Sequence, residues 1–197
     1  MSKRISLLVL FAIVVYSAFS GCGGGTSSDT ISDKVWYTVG ISIPMTSTNQ
    51  RSCKLAVDAF AEACDDGAFL IDHTTPAIIT LTRVDSKVDP GPLFLERYTV
   101  QYIPMQANSP VIEGLTVYQS AQLNTGENTV TVMVINVQRK TSFADLFVSG
   151  QRPKSILPVG YTVSYTLYGR NAYGQSWTYQ AQAPIFLGDY NECAKCE

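Results

Sequence analysis

Five cysteines, one histidine and a few aspartates are the residues here with the chemistry to hold a metal or move a proton. Cys193-Ala194-Lys195-Cys196 has the two-residue spacing that lets two thiolates face one ion, and Cys53 and Cys64 would complete a four-sulfur structural zinc site. Redox pairs share that spacing, but they normally open a helix in a βαβ setting, whereas only Glu197 follows Cys196. No histidine follows either, so covalent haem attachment is not expected. Asp72 and His73 are two members of a Ser-His-Asp triad by composition. Adjacent residues of an extended chain point to opposite sides, however, and no Gly-x-Ser-x-Gly elbow supplies a nucleophile. Asp65, Asp66 and Asp72 carry oxygens suited to calcium, yet the regular Asp-x-Asp-x-Asp-Gly loop is absent. We therefore expect no catalytic residue, no metal and no cofactor. A metal or thiol-redox centre on Cys193 and Cys196 with Cys53 and Cys64 is the alternative reading.

The compartment bears on that choice, and the first residues speak to it. Lys3 and Arg4 give a positive start, Ile5 to Phe19 is an apolar run of fifteen residues broken only by Ser6 and Ser17, and Ser20-Gly21-Cys22 follows. The run is short for a membrane span, which needs about 20 apolar residues, and its plan is that of an export signal. It resembles a bacterial lipoprotein signal, with Phe19 standing where that motif usually carries an aliphatic residue. The resemblance implies that residues 1–21 are removed and that Cys22 is lipidated, as with palmitate, and becomes the N-terminus. Gly23 rather than Asp after the cysteine implies the outer membrane, at its periplasmic or surface face. Assigning Cys22 to lipid leaves Cys53, Cys64, Cys193 and Cys196, an even set in an oxidising compartment where disulfides persist. Two bridges are expected, with all three pairings open.

Beyond Cys22, Gly23 to Asp33 has almost nothing to bury and is expected to be a flexible tether with a typical span of roughly 20 Å. Without the signal, 176 of the 197 residues remain, enough for one domain over residues 34–190 and a cysteine-containing tail over 191–197. That mature chain carries twelve Lys and Arg against sixteen Asp and Glu, a formal charge of −4. Its longest basic clusters are Arg139-Lys140 and Arg152-Pro153-Lys154, so it offers no cationic face to track phosphates and no nucleic-acid partner is expected. Only 15% of residues are charged, while eleven Tyr and eight Phe favour strands over helices.

The strand signal is an alternation of period two. Val35 to Ile43 shows it, as do Tyr98 to Tyr102 and Tyr161 to Leu167, and Trp177 to Ile185 returns after the turn Asn171-Ala172-Tyr173-Gly174. Ala77 to Val84 and Val111 to Ser120 add two more runs, with a turn at Asn124 to Asn128. Val130 to Val137 is nearly continuous in apolar residues, as expected of a central strand covered on both faces. Cys53 to Cys64 fits an edge strand or short irregular turn, and Arg139 to Ser155 is mixed, with Phe143, Leu146 and Phe147 able to plug an open end. Short strands separated by Gly, Pro and Asn make an all-β sandwich of about seven to nine strands.

Leu157 to Tyr165, with Arg170-Asn171-Ala172-Tyr173-Gly174-Gln175-Ser176 and Tyr98 to Tyr102, resembles the later strands of fibronectin type III and related immunoglobulin-like domains. The resemblance implies a two-sheet immunoglobulin-like sandwich in which Tyr161 forms a tyrosine corner, its hydroxyl bonding the backbone just upstream. It carries no activity, since such sandwiches serve many tasks. Among the clustered aromatics Tyr165, Tyr168, Tyr173, Trp177 and Tyr179, alternate members must face inward. Tyr168 and Tyr173 lie off that register or in the turn and are the candidate binding residues, because tyrosine is favoured in contact surfaces. The expected function is non-catalytic binding or scaffolding in the cell envelope, with the membrane reached through the lipid and an envelope protein as the possible partner.

Overall fold

The computed structural model describes residues 29–30, 36–43, 55–60, 63–64, 67–68, 70–85, 87 and 89–190. Cys22, Cys53, Cys193, Cys196, Asp65 and Asp66 lie outside them, as does the export segment, and Cys64 is placed only within a two-residue strand. The chain is mostly β, with two main sheets. Among the described residues it has eleven strands, three of them two residues long, so the expected seven to nine is exceeded by short additions.

The larger sheet is built on the strands that the alternation marks most strongly. β10 (Val159–Asn171) and β11 (Ser176–Gly188) form a long hairpin through Ala172–Gly174, where Gly174 takes a positive φ of 80°. β7 (Leu93–Pro104) pairs with the other side of β10, and β8 (Leu115–Leu123) pairs with β7 at the edge. The far side of β11 is shared by two short strands. β1 (Asp29–Thr30) lies beside Thr178 and Tyr179, and β3 (Leu55–Asp58) runs parallel to Ile185–Gly188. The edge strand expected within 53–64 is thus present over residues 55–58. Asp29 and Thr30 depart from the expected free tether, because they join this sheet.

The smaller sheet has the order β2 (Tyr37–Ser42), β6 (His73–Arg83), β9 (Gly126–Ile135). Here one expectation is corrected. β9 is an edge strand, with Val130, Val132 and Val134 buried while Thr129 and Thr131 are exposed. Its apolar run looks continuous because Met133 is half-buried and Ile135 lies beside a register shift against His73, which buries two neighbours in succession. A third, two-stranded piece pairs β4 (Ala63–Cys64) with β5 (Gly67–Ala68).

Inward side chains of the two main sheets form one core, with Val163, Tyr165, Leu167 and Trp177 from the larger sheet and Ile41, Ile79 and Val132 from the smaller. Tyrosine hydroxyls carry polar contacts across it. Tyr102 donates to the carbonyl of Val134 at 2.8 Å, and Tyr98 accepts from the amide of Met133 at 2.8 Å. Both reach backbone groups of the edge strand β9, which would cost about 1–3 kcal/mol each if buried unpaired. The crossing from β8 to β9 is held by Asn128. Its amide donates to the carbonyls of Asn124 at 2.7 Å, Gly126 at 3.1 Å and Ile79 at 3.2 Å, and its oxygen accepts from the Asn124 amide.

Helix α1 (Val137–Val148) takes up the last residue of the strand expected over Val130 to Val137 and the first part of the segment Arg139 to Ser155 read as mixed. Asn136 caps it, its side chain accepting from the Arg139 amide at 3.1 Å, and Asp72 accepts from the Val137 amide at 2.8 Å. Asp72 therefore helps to hold a helix end. At the other end Gly150, with φ 76°, closes the turn by donating to the Phe147 carbonyl. Phe143, Ala144 and Phe147 are buried, and Phe143 packs edge-on against Phe60 at 6.3 Å and Tyr161 at 6.4 Å. The expected plug is present, as a helical face rather than a loop.

Tyr161 also departs from its expected role. Its hydroxyl donates to the carbonyl of Pro110 at 2.7 Å, fifty-one residues away in sequence, rather than to the backbone just upstream. The bond ties β10 to the connection between β7 and β8, so it fixes tertiary rather than local structure.

Candidate functional site

The outward face of the larger sheet is where sequence and structure bring potential contact residues together. Its arrangement depends on a bulge in β7. Buried positions are odd-numbered at Leu93 and Leu95 but even-numbered at Tyr98, Val100 and Tyr102, and the pairing of β7 shifts register at the same place. The extra residue lets Glu96 and Arg97 both face solvent. Opposite the bulge, Gly169 has no room for a side chain. A Cβ there would overlap the Phe94 carbonyl oxygen and the ring of buried Trp177.

The bulge aims Arg97 across β10. Its guanidinium carbon lies 4.8 Å from the centre of the Tyr168 ring, a cation–π stack. Tyr118 pairs with Arg97 from the other side and is 78% exposed, so the row across the sheet reads Tyr118, Arg97, Tyr168, Thr178. The neighbouring row is Thr116, Thr99, Thr166, Gln180, and the next contains Gln101, Ser164 and Gln182. Strands lie about 4.8 Å apart and successive outward rows about 7 Å apart. These two rows carry hydroxyls and amides with no formal charge. Besides Arg97, this face carries charge at its margin, where Arg170 and Glu96 form an ion pair at 3.2 Å with both side chains at least half exposed.

Of the two tyrosines singled out from sequence, Tyr168 is thus half-buried on the sheet face and Tyr173 is 67% exposed in the β10–β11 turn. Tyr165, Trp177 and Tyr179 belong to the core. Arg97 and Tyr118 escaped the sequence reading. Arg97 takes the outward register of the run from Tyr98, which the bulge reconciles with buried Leu93 and Leu95; Tyr118 shows its signal in the alternation of Thr116, Tyr118 and Ser120 once the pairing of β8 is known.

Burial pushes the hydroxyl pKa of Tyr165 well above the ordinary phenol value, with the nearby Tyr102 and Tyr98 adding to it. Burial does the same for Tyr102 and Tyr161, outweighing the charges of Arg139 and Arg152 respectively. These groups remain neutral donors and acceptors at ordinary pH. They support the sheet from behind.

No three His, Cys, Asp or Glu side chains group around a possible metal position among the described residues. The four cysteines of the expected bridges or metal site fall outside this test, apart from the backbone of Cys64. Among the described residues no helix is long and apolar enough to cross a membrane. No family model, no curated protein and no solved structure matches the chain.

Proposed function

We propose that this chain is a non-catalytic envelope lipoprotein, fastened through lipid on Cys22, that binds neutral glycan with the outward face of its larger sheet. The observation that carries the binding reading is the row Tyr118, Arg97, Tyr168 beside two rows of uncharged hydroxyl and amide side chains. Tyrosine rings and a stacked guanidinium offer flat faces to the C–H sides of sugars, and Thr, Ser and Gln offer donors and acceptors to their hydroxyls. Neutral groups cost less to desolvate than ions, so such a surface favours an uncharged polyol over a charged protein patch.

The sandwich is of the immunoglobulin-like, fibronectin type III-like kind. In support, β2, β6 and β9 take the places of the first, second and fifth strands in one sheet, and β8, β7, β10 and β11 form the other. The order of charged, apolar and small residues before Cys22 supports the anchor, the outer membrane is its address, and Cys53, Cys64, Cys193 and Cys196 are paired as disulfides.

Affinity electrophoresis in gels containing soluble neutral polysaccharides tests the binding. Retardation of the folded domain is expected, with loss in Tyr118→Ala and Arg97→Ala. Equal mobility with and without every polysaccharide would overturn the glycan reading. Metabolic labelling with a palmitate analogue tests the anchor separately: label is expected on the natural chain and not on Cys22→Ala.

A further inference from the structure

A cleft lies away from the outward sheet face, where α1 meets the connection that follows β7. It encloses about 320 Å³, at the lower end of small-molecule sites, which span roughly 300–1,000 Å³. One wall is apolar: Ile112 and Phe143 are buried, Leu146 is half-buried, and Val111 stands at the rim with 85% exposure. The polar part of the lining is Gln138, Arg139 and Ser142, which α1 supplies together with Phe143 and Leu146.

Arg139 sets the chemistry. Its Nε donates to the Glu113 carbonyl at 2.6 Å, Nη1 to the Asn136 side-chain oxygen at 3.2 Å, and Nη2 to the Gly114 carbonyl. These three bonds fix the guanidinium in place and leave two of its five N–H groups without a partner among the described residues. All three acceptors are neutral oxygens, and Arg139 makes no ion pair among the described residues. A rigid guanidinium with spare donors is matched by a planar carboxylate. Ser142 donates to the Gln138 backbone carbonyl at 3.0 Å, and both residues line the cleft. The exposed Glu113 at the same cleft disfavours a second negative charge on the ligand.

We infer that this cleft binds a small monocarboxylate with an unbranched apolar tail, the carboxylate on Arg139 and the tail along Ile112, Phe143 and Leu146. The site is independent of the glycan face and of the lipid anchor.

Titration of the isotopically labelled domain with octanoate, followed by amide NMR, tests it. Saturable shifts confined to α1 and the Val111–Gly114 segment are expected, with octanol at least about tenfold weaker because the charge-assisted bonds are missing. Arg139 also braces the fold, so a second variant at the exposed rim separates binding from stability: Val111→Asp should keep the spectrum of the folded protein and weaken octanoate at least about tenfold. The inference is overturned if octanoate gives no saturable shifts, if octanol or inorganic phosphate binds as well, or if Val111→Asp binds as the natural chain does.

Discussion

Arg97 owes its position to one extra residue in a strand. Had β7 kept a single register, the alternation that buries Leu93 and Leu95 would have buried Arg97 and exposed Tyr98. Because Arg97 is exposed to solvent, its stack on half-buried Tyr168 is worth about 0.5–1 kcal/mol. Arg97→Ala and Tyr168→Ala should each lower unfolding free energy by no more than about 1 kcal/mol, and Tyr173→Ala should change it negligibly, measured by denaturant titration. A loss several times larger at Tyr168 would mark it as a core residue rather than a contact residue. Gly169 is the opposite case. Gly169→Ala forces a methyl group into the Phe94 carbonyl and the Trp177 ring, so it should destabilise by at least about 2 kcal/mol and alter tryptophan fluorescence. The tyrosine alternation was legible in the sequence, whereas the bulge was not, because nothing local distinguishes Glu96-Arg97 from any exposed pair.

At the scale of elements, α1 shows why local propensity can mislead. Thr141 and Ser142 are indifferent helix residues whose hydroxyls bond back to the carbonyls of Val137 and Gln138. The helix is also short, and its basic residues lie in the first turn rather than the last, against the dipole. Its stability comes from tertiary contact: Phe143, Ala144 and Phe147 lie on one face and close the end of the core beside Phe60 and Tyr161. Phe143→Ala should therefore cost about 3–5 kcal/mol and reduce helical circular dichroism as the plug loosens. Retention of full stability would mean that the helix is an ornament on the sandwich. The apolar positions Phe143, Ala144 and Phe147 are legible at helical spacing, as are Asn136 before them and Gly150 after them. That pattern competes with an apolar strand running directly into it, which hides the boundary at Asn136.

For the molecule as a whole, the tyrosines inside the sandwich make stability depend on alkaline pH. Burial holds the hydroxyls of Tyr98, Tyr102, Tyr161 and Tyr165 above the ordinary phenol pKa of about 10. Below that value both folded and unfolded chains keep these protons and the groups add no pH dependence. Above it the unfolded chain ionises first, so the folded state binds more protons and stability falls as pH rises. Each such tyrosine contributes a loss of about 1.4 kcal/mol per pH unit in that window. Unfolding free energy should be flat from this source up to about pH 9.5 and decline beyond it, with a shallower decline in Tyr165→Phe. An unchanged slope in that variant would show that Tyr165 titrates as freely in the folded protein as in the unfolded chain.

Taken alone, the sequence determined the strand-rich class, the long β10–β11 hairpin with its turn, and which alternate residues of those strands turn inward, because a period of two is a local property of the extended backbone. It also displayed the segment ending at Cys22, which depends on residue order and not on folding. Tertiary structure decided the rest. It made β9 an edge strand, carried the hydroxyl of Tyr161 to Pro110, and set Asp29 and Thr30 beside β11. It turned residues 137–148 into a helix over the open end and brought Tyr118 and Tyr168 to either side of Arg97. Each of those outcomes rests on contacts between segments far apart in the chain, and the free energy of such contacts is set by which surfaces meet, not by the residues next in line.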